Sequence, residues 1–101
     1  MILAEKKSSN EIRQEIESGL SQRYNIAFRG DGYICFCNNG LFFKVSVLKW
    51  KDDGRRVAVA EYANSELDAR NGIFGDDGDL FYLDEMSEEE IVNAMAREIE
   101  D

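Results

Sequence analysis

The sequence YICFCNNGLFFKVSVLKWKDDGRRVAVAEYA, residues 33–63, contains three runs of mainly apolar residues separated by two polar turns that end in glycine. Aromatic and β-branched residues favour strands, whereas Asn, Asp and Gly favour the tight turns of hairpins. The pattern predicts three successive antiparallel strands. The strands are expected over Tyr33–Cys37, Leu41–Trp50 and Arg55–Ala63, with turns at Asn38-Asn39-Gly40 and Asp52-Asp53-Gly54.

Two further strands are predicted on either side of this segment. Apolar and polar residues alternate over residues 24–29, just before a turn at Gly30-Asp31-Gly32. A short apolar run, Leu80–Leu83, is a candidate fifth strand at the edge of the sheet. Between Ala63 and this run lies a long polar connection, in which we expect one helical turn at Ser65–Arg70.

Both ends of the chain show a helical period. Ser8 and Glu11 form a capping-box pattern at the start of a helix over residues 8–22, and Ser87 and Glu90 repeat it near the C-terminus. Each helix carries an apolar residue every four positions. The sequence therefore predicts one α+β domain over residues 1–101, with a four- or five-stranded antiparallel sheet flanked by an N-terminal and a C-terminal helix.

The sequence leaves the register of the hairpins open. Three-residue loops with a bulge at glycine would place Val45 and Val47 on the same face as Val57 and Val59. A two-residue Asn-Gly turn would instead shift the first pairing by one residue and exchange the partners. In both cases neither face is wholly polar, so the second face needs cover from residues 64–83, a partner or a second copy.

Missing residue types exclude several function classes. The chain has no His, so Ser-His-Asp and Cys-His nucleophiles and imidazole metal sites are excluded, and two Cys cannot form a four-sulfur zinc site. No phosphate-binding glycine motif is present. Cys35 and Cys37 are two residues apart on a strand, which is at the edge of disulfide geometry. We expect reduced thiols, no metal, no cofactor and no catalytic residue.

Charge is the most asymmetric property of the sequence. Residues 1–51 hold 8 basic and 5 acidic residues, a balance of +3, and residues 52–101 hold 4 basic and 16 acidic residues, a balance of −12. The total of −9 argues against direct contact with nucleic acid, which requires Lys and Arg to neutralise phosphates. No long apolar run or signal peptide is visible, so we expect a soluble cytoplasmic protein without membrane contact.

Three interpretations of the acidic half compete. It can be a solvated surface that maintains solubility, or a cation site, or a surface that binds a basic protein. The segment Gly75-Asp76-Asp77-Gly78-Asp79 is similar to a calcium loop, but an EF-hand alignment puts Ile73 or Leu67 where the first acid is required. The third interpretation predicts a basic partner whose nucleic-acid groove accepts carboxylates in place of phosphates.

The layout of the whole chain supports the third interpretation. A small, acidic, Pro-free chain built as a helix, an antiparallel meander and a second helix resembles the anti-CRISPR inhibitors of phages and mobile elements, and also acidic proteins that block nucleases. The resemblance implies a stoichiometric inhibitor that occludes a nucleic-acid or PAM-reading site on a basic effector, such as a CRISPR nuclease. It assigns no role to individual residues.

The acidic residues predicted to bind this partner are Glu66, Asp68, Asp76, Asp77, Asp79, Asp84, Glu85, Glu88 and Glu89. The alternative function is an assembly module that associates, as a homodimer for example, through an apolar sheet face formed by Phe36, Phe42, Leu48 and Trp50. An enzyme is the third class, but no pair of carboxylates is placed in an apolar pocket by the sequence.

Overall fold

The computed structural model describes residues 7–75 and 78–100. Its elements are α1 (Ser9–Ser21), β1 (Asn25–Gly30), β2 (Tyr33–Asn38), β3 (Leu41–Lys49), β4 (Arg56–Ala63), α2 (Glu66–Arg70), β5 (Asp79–Tyr82) and α3 (Glu88–Glu100). The five strands form one antiparallel sheet in chain order. The α+β architecture is as expected from the sequence, including the short fifth strand and the helical turn that becomes α2.

Side chains cap the two long helices. The Ser8 hydroxyl accepts a hydrogen bond from the Glu11 amide at 3.1 Å, and the Glu11 carboxylate accepts from that hydroxyl rather than from the Ser8 amide. At α3 the capping box is complete, because the Ser87 hydroxyl accepts from the Glu90 amide and the Glu90 carboxylate accepts from the Ser87 amide. The predicted starts of both helices are therefore confirmed.

The turn between β2 and β3 is the two-residue alternative. Asn39 and Gly40 have φ values of 51° and 84°, the left-handed conformation that Asn and Gly tolerate best. As a result Phe36 lies opposite Phe43, and Cys37 lies opposite Phe42. Phe36 and Phe42 therefore point to opposite faces of the sheet.

The turn between β3 and β4 is one residue longer than the expected three-residue loop. The Trp50 amide donates to the Arg55 carbonyl at 2.7 Å, which leaves residues 51–54 in the loop. This shift moves Val57 and Val59 to the face opposite Val45 and Val47. The arrangement expected for three-residue loops, with all four valines on one face, is therefore wrong.

One face of the sheet, here called the helix face, is covered by α1 and α3. Its fully or almost fully buried strand residues are Phe36, Phe43, Val45, Ala58 and Ala60. The predicted apolar stripes of the helices pack against them, and all of their members are buried: Ile12, Ile16, Leu20, Ile91, Met95 and Ile99. The main core lies between these two layers.

The opposite face, here called the open face, is covered at one end by α2 and the residues that follow it. Cys35, Ala63 and Ala69 are buried there, and partly buried aromatic rings pack around them. At the other end Leu48 stays 38% exposed. Cover by the 64–83 segment, one of the expected alternatives, thus applies to part of this face.

The predicted apolar interface does not exist as one surface. Phe36 is fully buried beneath the helices, and Phe42 packs into the cluster below α2. Leu48 is exposed and Trp50 is half-buried. The one-residue difference in the β2–β3 turn separates the two phenylalanines, because each residue shift in a strand turns the side chain to the other face.

Both cysteines are free thiols, as predicted. Cys35 is fully buried and Cys37 is half-buried. Burial raises the pKa of the Cys35 thiol, which keeps it protonated and unreactive. Cys35 therefore serves as a small core residue.

Candidate protein-binding surface

The first pair of predicted acids lies on α2. Ser65 caps this short helix by accepting from the Asp68 amide at 3.1 Å, and Glu66 accepts from Arg70 Nε at 2.7 Å. Arg70 also lies over the ring of Phe28, 4.4 Å from its centroid. Because α2 packs on the open face, Glu66 and Asp68 lie on the other side of the sheet from α3.

Asp79 is used inside the fold. It begins β5, and its carboxylate accepts a hydrogen bond from the Tyr62 hydroxyl at 2.5 Å. Burial, and then this hydrogen bond, raise the pKa of Tyr62 above its ordinary value. Asp76 and Asp77 lie outside the described residues.

Asp84 and Glu85 form an ion cluster in the turn between β5 and α3. Arg55 donates to both Asp84 oxygens, at 2.9 and 2.6 Å, and also to Glu85. The guanidinium stacks 3.8 Å above the Tyr82 ring, and the Tyr82 hydroxyl donates to Asp53. The hydrogen bonds from Arg55 lower the pKa of Asp84. The charges of these acids are thus partly offset within the molecule.

Glu88 and Glu89 border a groove between α1 and α3, here called the acidic groove. Its volume is about 390 Å³. The residues that line it are Glu15, Ser18, Gly19, Gln22, Arg23, Glu88, Glu89 and Val92. Three carboxylates from two helices therefore surround one cavity that opens to solvent.

A glycine that lines the acidic groove allows the two helices to approach closely. A Cβ atom on Gly19 would lie 3.0 Å from Val92 Cγ2, closer than ordinary van der Waals contact. In the sequence this glycine only predicts a weaker last turn of α1, because glycine has low helix propensity. In the fold it lets α3 pack directly against α1.

An ammonium group of the chain itself is bound beside the acidic groove. Lys7 Nζ lies 2.8 Å from each Glu15 oxygen and 3.7 Å from Glu88 Oε1. Arg56 fixes the Lys7 backbone by donating to its carbonyl oxygen at 2.8 Å. The hydrogen bond to Glu15 and the charge of Glu88 raise the pKa of Lys7, although desolvation opposes them. Glu89 makes no ion pair within the described part of the chain.

The structure divides the acids that the sequence places together. Glu88 and Glu89 lie in the acidic groove, Asp84 and Glu85 in the adjoining turn, and Glu66 on the far side of the sheet. The groove is completed by Glu15, which sequence reasoning missed because it belongs to the basic half of the chain. The sequence gives little indication that Glu15 belongs to a binding site, because acidic residues are common on the polar side of an amphipathic helix.

The described residues contain no cluster of side chains suited to a metal ion. In residues 7–75 and 78–100 no group of three or more Cys, Asp and Glu side chains is placed to hold a metal ion. Nor is any helix in these ranges long and apolar enough to cross a membrane. No protein-family model matches the chain, and no solved structure matches it significantly.

Proposed function

We propose that this protein is a non-catalytic inhibitor that binds a basic surface of a nucleic-acid-processing effector, with the acidic groove as its main contact. The observation that carries the proposal is the position of Lys7, whose ammonium lies between Glu15 and Glu88. The chain thus binds a lysine of its own at the edge of the groove. A lysine or arginine of a partner would meet a further carboxylate at Glu89, which makes no ion pair within the described part of the chain.

The shape of the groove suits a long basic side chain. Gly19 and Val92 line the groove together with three carboxylates and Arg23, so the methylene groups of a basic side chain would contact apolar atoms while a carboxylate accepts its charged head. The adjoining acids Asp84 and Glu85 extend the negative surface beyond the groove. Several cationic side chains of one basic cleft could therefore be engaged together.

The charge of the whole molecule supports fast association with such a partner. A formal charge of −9 on 101 residues attracts a basic surface over distances on the order of 10 Å at physiological salt. The resemblance in layout to anti-CRISPR inhibitors points to guide-loaded CRISPR nucleases as the first effectors to test. On this proposal the protein acts in the cytoplasm of the host of a phage or mobile element.

A charge-reversal pair with a matched control tests the proposal. The groove variant is Glu88→Lys/Glu89→Lys, and the control is Glu66→Lys/Asp68→Lys, which changes the net charge equally but on the far side of the sheet. Binding to a panel of guide-loaded CRISPR nucleases is measured by calorimetry, and DNA cleavage is followed in parallel.

The groove variant is expected to lose at least about tenfold in affinity, which corresponds to about 1.4 kcal/mol, while the control loses much less. Affinity of the unaltered protein should also fall as salt is raised. Equal losses of affinity in both variants would mean that binding depends on net charge and not on the acidic groove. Absence of binding to every nuclease in the panel would reject this class of effector.

A second candidate function is assembly through the open-face side of the molecule. Leu67 and Ile73 are 70% and 59% exposed on and after α2, and Leu48 is 38% exposed on the sheet. Light scattering over a concentration series distinguishes the two functions. A dimer that dissociates on Leu67→Asp substitution favours assembly, and a monomer at all concentrations excludes a homodimer.

A further inference from the structure

The side chain of Lys7 connects the two helices that border the acidic groove. Its Nζ lies 2.8 Å from each oxygen of Glu15 on α1 and 3.7 Å from Oε1 of Glu88, the first residue of α3. Both carboxylates line the acidic groove. One ammonium group of the chain therefore engages two of the groove's three carboxylates.

The backbone of Lys7 is held independently of its ammonium group. Arg56 Nη2 donates to the Lys7 carbonyl oxygen at 2.8 Å, and Lys7 directly precedes Ser8, the capping residue of α1. The side chains of Lys7 and Glu15 are 26% and 46% exposed, and ion pairs with this exposure contribute little to stability. The ammonium can therefore be released at small cost while the backbone of Lys7 stays in place.

Lys7 also reduces the charge that the acidic groove offers to a cation. The side chains that line the groove include three carboxylates and one guanidinium, that of Arg23. With Lys7 in place the net charge of these five side chains is −1, and without its ammonium the charge is −2. A cation near the groove is therefore attracted less strongly while Lys7 is bound there.

Glu88 is left partly unsatisfied by Lys7. Its Oε1 is buried and finds no hydrogen-bond donor among the described residues, since the 3.7 Å to Lys7 Nζ exceeds hydrogen-bond distance. A buried carboxylate oxygen without a donor is unfavourable. A cationic side chain that reaches this oxygen would gain a hydrogen bond that Lys7 does not make, and it would therefore compete well with Lys7.

We propose that Lys7 is an autoinhibitory contact, which competes with the cations of a basic partner for Glu15 and Glu88 and is displaced when the partner binds. The inference rests on the function proposed for the acidic groove and adds a regulation to it. A single cation that leaves Lys7 in place gains only Glu89, whereas a surface with several cations gains all three carboxylates. The contact thus favours strongly basic partners over isolated lysines and arginines.

A lysine peptide tests this competition without any effector. The probe is acetyl-Lys-Lys-Lys-amide, and its affinity is measured by NMR titration of the whole chain at low ionic strength, where ion pairs are least screened. Lys7→Met removes the competing ammonium, and Lys7→Arg retains a cation. The matched control is Lys51→Met, which changes the net charge equally at an exposed lysine that does not line the groove.

The expected result is a gain in affinity that is specific to Lys7→Met. This variant should bind the peptide roughly threefold to tenfold more tightly than the unaltered protein, because two exposed ion pairs no longer have to be broken. Lys51→Met and Lys7→Arg should stay within about twofold of the unaltered protein. Equal gains in Lys7→Met and Lys51→Met, no gain in Lys7→Met, or no binding of the peptide at millimolar concentration would each overturn the proposal.

The ammonium resonance of Lys7 gives a second measurement, made on the unaltered protein. Its hydrogen bonds to Glu15 should slow proton exchange with water, so that the resonance is visible by NMR and is absent from the spectrum of Lys7→Arg. The peptide should shift it toward the position of a free lysine. A resonance that stays in place while the amides of Gly19 and Glu89 respond to the peptide would refute displacement. This measurement decides the outcome even if Lys7→Met disturbs the start of α1.

Binding of effectors separates this proposal from the function on which it rests. If no nuclease of the panel binds while the peptide results are as expected, the effector class proposed above fails and the competition by Lys7 stands. If an effector binds the unaltered protein and Lys7→Met with equal affinity, the proposed function stands and the autoinhibitory contact is refuted.

Discussion

The helix face and the open face of one sheet have opposite organisations. The helix face is covered by two helices, and its strand residues Phe36, Phe43 and Val45 are fully buried. The open face is covered by the five residues of α2 and a short following segment, and Leu48 remains partly exposed. Side chains on the helix face are therefore expected to contribute most of the free energy of unfolding. Substitutions on the open face are expected to change this free energy less.

Truncation of one large residue on each face tests this contrast most strongly. Phe43 packs edge-on against Tyr24 and is stacked on Phe36, with ring centroids 5.3 and 5.6 Å away. Phe43→Ala should lower the free energy of unfolding by about 3–5 kcal/mol through lost burial and a cavity. Leu48→Ala should cost less than about 1 kcal/mol, because the side chain is already partly hydrated.

Urea unfolding followed by tryptophan fluorescence, with Trp50 as the reporter, measures both values. If Phe43→Ala is too unstable to purify, Phe43→Leu replaces it in the comparison. Its loss in the free energy of unfolding is expected to lie between those of Leu48→Ala and Phe43→Ala. Similar losses for Phe43→Ala and Leu48→Ala would mean that the two faces contribute equally.

Glu17 provides the next test, because it is a buried acid on the helix-covered side. It is 4% exposed, accepts from the Ile34 amide and lies 3.5 Å from Arg13 Nε. Glu17→Ala should cost about 2–3 kcal/mol, since it leaves a buried amide and a guanidinium without their partner. Glu17→Gln retains an acceptor oxygen and should cost less. Thermal and urea unfolding of both variants give the difference, and equal stability of Ala and Gln would argue against the hydrogen bond.

The elements of this fold could be predicted from the sequence, because each depends on local signals. Capping serines, stripes with a period of four and glycine turns locate the helices and strands within a few residues. The register could not be predicted, because Asn38-Asn39-Gly40 is compatible with both a two-residue turn and a three-residue loop. That single-residue ambiguity was enough to place Phe36 on the wrong face.

The binding surface was predicted less well, for a related reason. In the sequence, Glu66, Asp79 and Glu88 belong to one segment that is rich in acidic residues. In the fold they are apart, because α2 and α3 lie on opposite faces of the sheet and Asp79 begins β5. Conversely Glu15 lies more than seventy positions from Glu88 in the sequence and lines the same groove. Glu17 was missed as well, although its spacing of four from Arg13 indicated an ion pair. Long-range packing places all of these side chains.

The turn that sets the register can be weakened without changing either face. Gly40 has φ 84°, and no atom lies within 4 Å of the position that a Cβ would take. Gly40→Ala should therefore cost about 1–2 kcal/mol through backbone strain alone. Asn39→Gly, the matched change at the neighbouring position, should be close to neutral. Nuclear Overhauser contacts between Phe36 and Phe43 should persist in both variants, and their loss would indicate a shifted register.

The smallest expected effect is on the pH dependence of stability. Hydrogen bonds from Arg55 lower the pKa of Asp84, and hydrogen bonds at Ser87 lower the pKa of Glu90. A carboxyl whose folded pKa is lowered stabilises the fold above its unfolded pKa, about 4, and this contribution is lost as the pH falls through the folded value. The melting temperature should therefore decrease slightly as the pH falls below about 4.

Calorimetry at a series of pH values checks this expectation. Asp84→Asn should flatten part of the acid decrease, and Glu90→Gln should do the same. Both carboxylates are solvent-exposed, so each change is expected to be minor beside that of the core variants. An acid dependence of the melting temperature that is the same in Asp84→Asn and Glu90→Gln as in the unaltered protein would contradict a stabilising role for these two carboxylates.

The chain-order arrangement of the strands has a consequence for how the protein folds. Every strand pairs with its neighbour in sequence, so the sheet can form by successive local hairpins with little loss of loop entropy. The packing of α1 against α3 is different, since it joins the two ends of the chain. A nascent chain could therefore assemble its sheet early, yet the acidic groove would come into existence only after α3 has been synthesised.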